Sequence, residues 1–217
     1  MRQVVVRCLS LAVSVLLALS CCGTDKGSRG AQVAIEDTEQ APVFSAADEK
    51  YKDVYRGLDG RWRGTFKIYV RGAGQAEGPR PVELSVGAWS KPPYKLQQTI
   101  GVEQVYTSDS AFFQRVEITD TYADGKVARS SGVNKVQDGR MYCVVKKSDD
   151  LVIHEGSTDG PETIIWARDR KSPKAIEHFR ETVEATTYTI VGWGYYGDDD
   201  PTKTPGYYFE AVYERVD

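Results

Sequence analysis

The sequence predicts an all-β fold, an antiparallel up-and-down barrel of about 8 to 10 strands. Three observations predict it. Trp62, Gly64, Phe66, Ile68 and Val70 alternate with Arg61, Arg63, Thr65 and Lys67, the period of a strand with one buried face. Turn signals recur at short intervals: Pro92-Pro93, Asp124-Gly125, Asp138-Gly139, Asp149-Asp150 and Asp159-Gly160. Asp-Gly suits tight hairpins because both central positions take positive φ. A meander of this kind has exposed edges, and closure into a barrel removes them. The 13 tyrosines and 4 tryptophans suit strands and barrel interiors.

The elements follow in chain order. Arg2 and Arg7 make a basic start, and Cys8 to Leu19 is an apolar run. At about 12 residues it falls short of the roughly 20 that a bilayer span needs. Ala18-Leu19-Ser20-Cys21-Cys22-Gly23 follows, so residues 1–20 read as an export signal rather than a membrane helix. The cysteine at the cut resembles a bacterial lipoprotein signal, which implies lipidation of Cys21. Cys22 is the alternative, disfavoured because Ser20 is the usual kind of neighbour; secretion without lipid is a further alternative. The expected location is the cell envelope, in the periplasm or at the outer membrane, held to the membrane by the lipid.

Residues 21–44 are rich in Gly, Asp, Glu and Gln with few large apolar residues, so they read as a flexible tether. The barrel domain is expected over 45–217. Ser45-Ala46-Ala47-Asp48 is a helix start, with Tyr51, Val54, Tyr55 and Leu58 at helical spacing. A second helix is expected near 172–183, where Ser172 caps, Pro173 fits the first turn, and Ile176, Phe179 and Val183 share a face.

The whole chain has 28 Lys+Arg against 31 Asp+Glu, a net charge of −3, which makes no electrostatic case for nucleic acid. Of the 4 cysteines only Cys143 lies in the domain, so no structural disulfide is expected.

Gly60-Arg61-Trp62, after a short helix and opening the first strand, resembles the G-x-W signature of lipocalins and the wider calycin superfamily. The resemblance implies that Trp62 sits at the closed end of the barrel with a late arginine stacked across it, the role open to Arg215. The family's second motif is missing. Glu103-Gln104 with Gln114-Arg115-Val116 resembles strands of chromophore lyases of the CpcT/CpeT type, with Phe113 in place of an arginine. That likeness implies a barrel with a bound ligand; the lyase reaction, an intracellular one, does not carry over to an exported chain.

Pairing arithmetic proposes an interior. Apolar must meet apolar across strands, since a one-residue slip flips a face. Tyr106 is placed opposite Phe112, so that Gln104 faces Gln114 inside while Glu103 meets Arg115 outside. A two-residue Asp124-Gly125 turn then sets Val116 opposite Val133 and Asp120 opposite Arg129, both inward. On this count Met141, Cys143 and Val145 face outward, which signals a bulge or register error. The expected ligand-binding set is Gln98, Gln104, Tyr106, Phe112, Gln114, Asp120 and Arg129. Asp120, Arg129 and Gln98 are placed low, and Gln104, Gln114, Tyr106 and Phe112 near the mouth. An apolar cup with a few polar groups is the usual form of a small-molecule site.

Catalytic patterns are absent from the sequence. His154 and His178 lack a second ligand at metal spacing, no serine sits in a nucleophile elbow, and Cys143 reads as an inert thiol. Gly192-Trp193-Gly194-Tyr195-Tyr196-Gly197 matches a dinucleotide motif by letter, but Asp198-Asp199-Asp200-Pro201 after it opens no helix. No cofactor or metal is implied. The reading is a barrel that binds a small amphipathic or aromatic ligand. The alternatives are an enzyme using Asp120, Arg129 and a tyrosine or His154, and a filled barrel acting as an interaction domain.

Overall fold

The computed structural model describes residues 33–72, 81 and 84–216. The export signal and Cys21 lie outside the described residues. Ten strands form one closed antiparallel barrel: β1 (Gly60–Arg71), β2 (Tyr94–Ser110), β3 (Phe113–Thr121), β4 (Val127–Gln137), β5 (Arg140–Lys146), β6 (Leu151–Thr158), β7 (Thr163–Lys171), β8 (Lys174–Val183), β9 (Thr187–Tyr196) and β10 (Tyr207–Val216). Each pairs with its chain neighbours, and β10 pairs with β1.

The helix expected near 172–183 is a strand. Ser172-Pro173 forms the turn into β8, whose inward set is Ala175, Glu177, Phe179, Glu181 and Val183. Ile176, Phe179 and Val183 fit a helical stripe, but β7 and β9 on either side each need a partner for their open edges. Tertiary pairing overrides the local pattern. The expected N-terminal helix is two short 3₁₀ turns, Ala46–Tyr51 and Arg56–Leu58. The Asp48 carboxylate accepts from the Ser45 amide at 2.7 Å and hydroxyl at 2.8 Å, and from the Gly139 amide at 2.6 Å.

The β3–β4 register corrects the predicted one. Gly125 N–H donates to Tyr122 O at 2.9 Å and Tyr122 N–H to Lys126 O at 2.9 Å, with Gly125 at φ 82°. That is a three-residue loop with glycine at the left-handed position, not a two-residue turn. The extra residue moves the pairing by one: Val116 meets Gly132, Asp120 meets Ala128, and Arg129 lies opposite Thr119. Every β4 side chain therefore changes face, and Met141, Cys143 and Val145 of β5 turn inward through their pairing with β4.

The β2–β3 hairpin is also longer than expected, with Tyr106 opposite Val116 and Gln104 opposite Ile118. That shift is even, so Gln104, Tyr106, Val116, Ile118 and Asp120 keep their inward direction, while Phe112 leaves the strand. Glu103 instead meets Arg61 at 3.3 Å and Arg63 at 2.6 Å outside, while Arg115 meets Asp109 at 2.7 Å.

One end of the barrel is sealed. Tyr55 and Leu58 from the 3₁₀ turns are buried beside Trp62, whose indole donates to Leu58 O at 2.7 Å. The Arg215 guanidinium lies 4.2 Å over the Trp62 ring. It donates to Ala185 O at 2.9 Å, Gly57 O at 2.9 Å and Asp59 O. Gly60 has φ 116°, and a side chain there would meet the Arg215 guanidinium.

Two segments cover the outer wall. The described part of the expected tether, 33–44, rests on β3–β5: Lys135 Nζ donates to Ala34 O at 3.1 Å and Asp37 O at 2.7 Å, and Gln137 to Val33 O at 2.7 Å. Ile35 joins Phe113, Val133, Tyr142 and Val144 there. On the far side Trp89 packs with Tyr69, Tyr208 and Trp193.

Arg215→Lys keeps the charge but loses the planar fork that reaches three carbonyls. The expected loss is about 2 kcal/mol, read as a lowered thermal midpoint by circular dichroism. An unchanged midpoint would refute the clamp.

Candidate ligand-binding cavity

The barrel holds a cavity of about 430 Å³ between the sealed end and the opposite rim. Its walls are mainly apolar: Phe66, Ile100, Val102 and Ile118 on one side, Val145, Val152, Phe179 and Ile190 on the other. The strand period explains this lining, since alternate residues of every strand face the axis. At the rim Gln98 and Lys147 line the cavity and are solvent-exposed, so the space opens there. Near the plug the lining is aromatic and polar: Gln104, Tyr106, Trp166, Glu181, Tyr188 and Tyr213.

Four of the seven expected binding residues line this space: Gln98, Gln104, Tyr106 and Asp120. Their heights are the reverse of the expected ones. Gln104 pairs with Trp62 at the sealed end and Gln98 with Ile68 toward the rim, because β2 runs antiparallel to β1. Three residues fall elsewhere. Arg129 is exposed on the outer wall, so its expected pair with Asp120 does not form. Phe112 stacks on Phe44 at 4.8 Å at the hairpin tip, and Val136 N–H donates to its carbonyl at 2.9 Å. Gln114 is fully buried but serves the plug: its amide donates to Tyr55 O at 2.8 Å and Asp59 at 2.9 Å, and accepts from Asn134 at 3.0 Å.

Two carboxyls line the cavity, Glu181 and Asp120, and a third, Glu177, sits in the wall beside it, bonded to the lining residue His154. Glu181 faces the plug end, and burial pushes its carboxyl up to about 7, with Trp166 and Tyr188 pulling it back. Glu177, four residues earlier on the same face, sits in a network. His154 Nε2 lies 2.9 Å from its carboxylate, Arg168 3.3 Å, and the Tyr196 hydroxyl donates at 2.5 Å. Burial raises the Glu177 pKa, but His154, Tyr196 and Arg168 more than offset it and hold the carboxyl at about 2. Asp120 is raised by burial, with Lys147 drawing it back.

The thiol and the phenols of the cavity are unreactive. Burial raises the Cys143 thiol far above neutrality, so it stays protonated and a poor nucleophile. Tyr106, Tyr188 and Tyr213 are raised likewise and remain neutral phenols. His178 stacks on Trp193 at 5.3 Å, outside the barrel. Gly192 to Tyr196 lie within β9, not at a helix start. Among the described residues no group of three or more His, Cys, Asp or Glu is placed to hold a metal.

Sequence reasoning missed Glu177 and Glu181 because 172–183 read as a helix. Alternate residues Ala175, Glu177, Phe179, Glu181 and Val183 carry the signal: two acids on an otherwise apolar face.

No model of a known protein family matches the chain, and no curated protein matches it. Among solved structures it is similar to a redesigned β-barrel at 11% identity and a TM-score of 0.35, covering 76% of this chain and 97% of that one. It is also similar to EF1p2_mFAP2b bound to DFHBI, at 13% identity and a TM-score of 0.37, covering 76% and 99%. Likenesses this distant do not bear on what the chain does.

The two glutamates make opposite pH signatures. Glu181 binds its proton more tightly folded than unfolded, so its stability contribution falls as pH rises from about 4.3 to about 7. Glu177 does the reverse: its contribution is present above about 4.3 and lost as pH falls toward about 2. At pH 8, Glu181→Gln is therefore expected to stabilise and Glu177→Gln to destabilise, each by about 2 kcal/mol. Urea melts at pH 8 and pH 4 check both; the Glu181→Gln gain disappears at pH 4. Equal effects of the two substitutions would refute the assignment.

Proposed function

We propose that this chain is an exported, lipid-anchored barrel of the calycin type that holds a small amphipathic or aromatic molecule in the cell envelope. The cavity carries the binding reading: about 430 Å³, apolar-walled, sealed by a plug at one end and open at the other. That volume lies within the roughly 300–1,000 Å³ of ordinary ligand pockets. The calycin reading rests on Gly60 and Trp62 in their signature spacing and on Arg215 stacked over Trp62. Export and anchoring rest on residues 1–20 and Cys21 in the sequence. An enzyme built on Asp120 and Arg129 loses its pair, since Arg129 is outside; a filled interaction barrel would not leave this space.

Two experiments test the reading. N-phenyl-1-naphthylamine titrated into the purified chain is expected to brighten with one saturable site, and Ile118→Trp to weaken it about tenfold or more by filling the cavity. Retained binding in a folded Ile118→Trp protein, or no binding to the parent, would refute the container. Radiolabelled palmitate fed to an expressing bacterium is expected to label the chain, with Cys21→Ala abolishing the label and Cys22→Ala leaving it.

A further inference from the structure

We infer that the ligand is an amphipathic amine, its cationic group seated at the floor of the cavity between the Glu181 carboxyl and Tyr106, Tyr188 and Tyr213. This rests on the binding reading above and specifies the chemistry of the ligand. Glu181 is the observation that carries it. The carboxyl lines the cavity, and among the described residues no lysine, arginine or histidine forms a salt bridge with it. Every other carboxylate that lines this space or joins its wall network has a cation at hand: Glu177 has His154 and Arg168, and Asp120 feels Lys147.

The groups that sense the Glu181 charge come from every element around it and are all neutral. They are Tyr55 of the plug, Tyr106 of β2, Cys143 of β5, Tyr188 of β9 and Tyr213 of β10. Trp166 of β7 and Tyr188 face the carboxyl itself. The floor thus offers one acid and a ring of aromatic side chains, with Tyr188 and Tyr213 centroids 5.2 Å apart and Tyr106 6.4 Å from Tyr188. A cation entering it gains an ion pair with the carboxylate in a desolvated site. An anion meets a carboxylate and no positive charge. A neutral ligand leaves the acid as unpaired as before.

The apolar walls above take the remainder of the molecule, which makes it an amine with an aromatic or aliphatic body rather than a small hydrophilic one. Burial holds the acid near neutrality against the pull of Trp166 and Tyr188, and a bound ammonium would supply the counter-charge that these neutral groups do not. Binding therefore lowers the Glu181 pKa and expels a proton.

The test compares three probes on the purified full chain by isothermal titration calorimetry: tryptamine, its neutral isostere 3-propylindole, and indole-3-propionate. At pH 8 tryptamine is expected to bind about tenfold or more tighter than 3-propylindole, and indole-3-propionate weakest. Tryptamine affinity falls about tenfold from pH 8 to pH 6 as Glu181 takes up its proton, while 3-propylindole stays level. At pH 7, titrations in buffers of different ionisation enthalpy release about half a proton per tryptamine and none per 3-propylindole. Glu181→Gln removes the tryptamine advantage and keeps 3-propylindole binding, which also reports that the variant is folded. If 3-propylindole binds but tryptamine gains nothing over it, or tightens at low pH, the amine is refuted while the container stands. If none of the three binds, the container reading fails and the amine with it.

Discussion

The seal at the Trp62 end is the constraint on which the rest of the structure depends. A ten-stranded antiparallel barrel is a tube, and a tube with two open ends holds water rather than a ligand. Here the two 3₁₀ turns cross one end, and the backbone carbonyls of Tyr55 and Leu58 are buried there and need donors. Trp62 answers this by donating to Leu58 and Gln114 by donating to Tyr55, while Arg215 ties the Gly57 and Asp59 carbonyls to Ala185 between β8 and β9. The donors come from the ends of β1, β3 and β10, so the plug is fastened to distant parts of the chain that only the closed barrel brings together. Gly60 belongs to the same device, because its backbone and missing side chain let the guanidinium reach the plug.

Along β8 the distance from the sealed end coincides with an electrical contrast. Glu177 and Glu181 are the same residue type on the same face of β8, and their carboxyls move in opposite directions, to about 2 and about 7. Burial opposes ionisation in both. Glu177 faces His154, Arg168 and Tyr196, which favour its charge, whereas Glu181 faces phenols and an indole at the plug end. Distance from the seal thus separates a carboxylate held charged by neighbouring cations from one that meets only neutral donors.

The architecture was legible because alternation, turn spacing and the edge problem each point to a closed sheet. Its details failed at identifiable places. Asp124-Gly125 is compatible with either a two-residue or a three-residue loop, and only the neighbouring strands decide between them. That one residue moved Arg129 outside and brought Cys143 inside. The outward assignment of Met141, Cys143 and Val145 was itself the warning, since an apolar set facing water marks a slip upstream. The β2–β3 register differs from the expected one by an even number, which explains why Gln104 and Tyr106 keep their inward direction while their partners change. β8 was hidden because three apolar residues at helical spacing also suit a strand whose flanks need pairing, and with it went both glutamates. Trp62 and Arg215 were legible only through a motif, as no periodicity marks a residue that caps a barrel.

The N-terminal arm shows why composition misreads a segment that others hold in place. Residues 33–44 have little apolar surface of their own, and on that ground they would stay unordered. Lys135 and Gln137 on the outer wall change the balance. Each presents buried donors with no strand neighbour to take them, and the carbonyls of Val33, Ala34 and Asp37 accept them. Burial lowers the Lys135 pKa, and Asp37 and Glu36 beside it draw the ammonium back toward its charged form. Ile35 then needs to contribute only one side chain to an apolar patch already built by Phe113, Val133, Tyr142 and Val144. The order of the arm is written in the barrel's residues rather than in its own, so it becomes visible only once β4 and β5 are paired in the register that puts Lys135 outside.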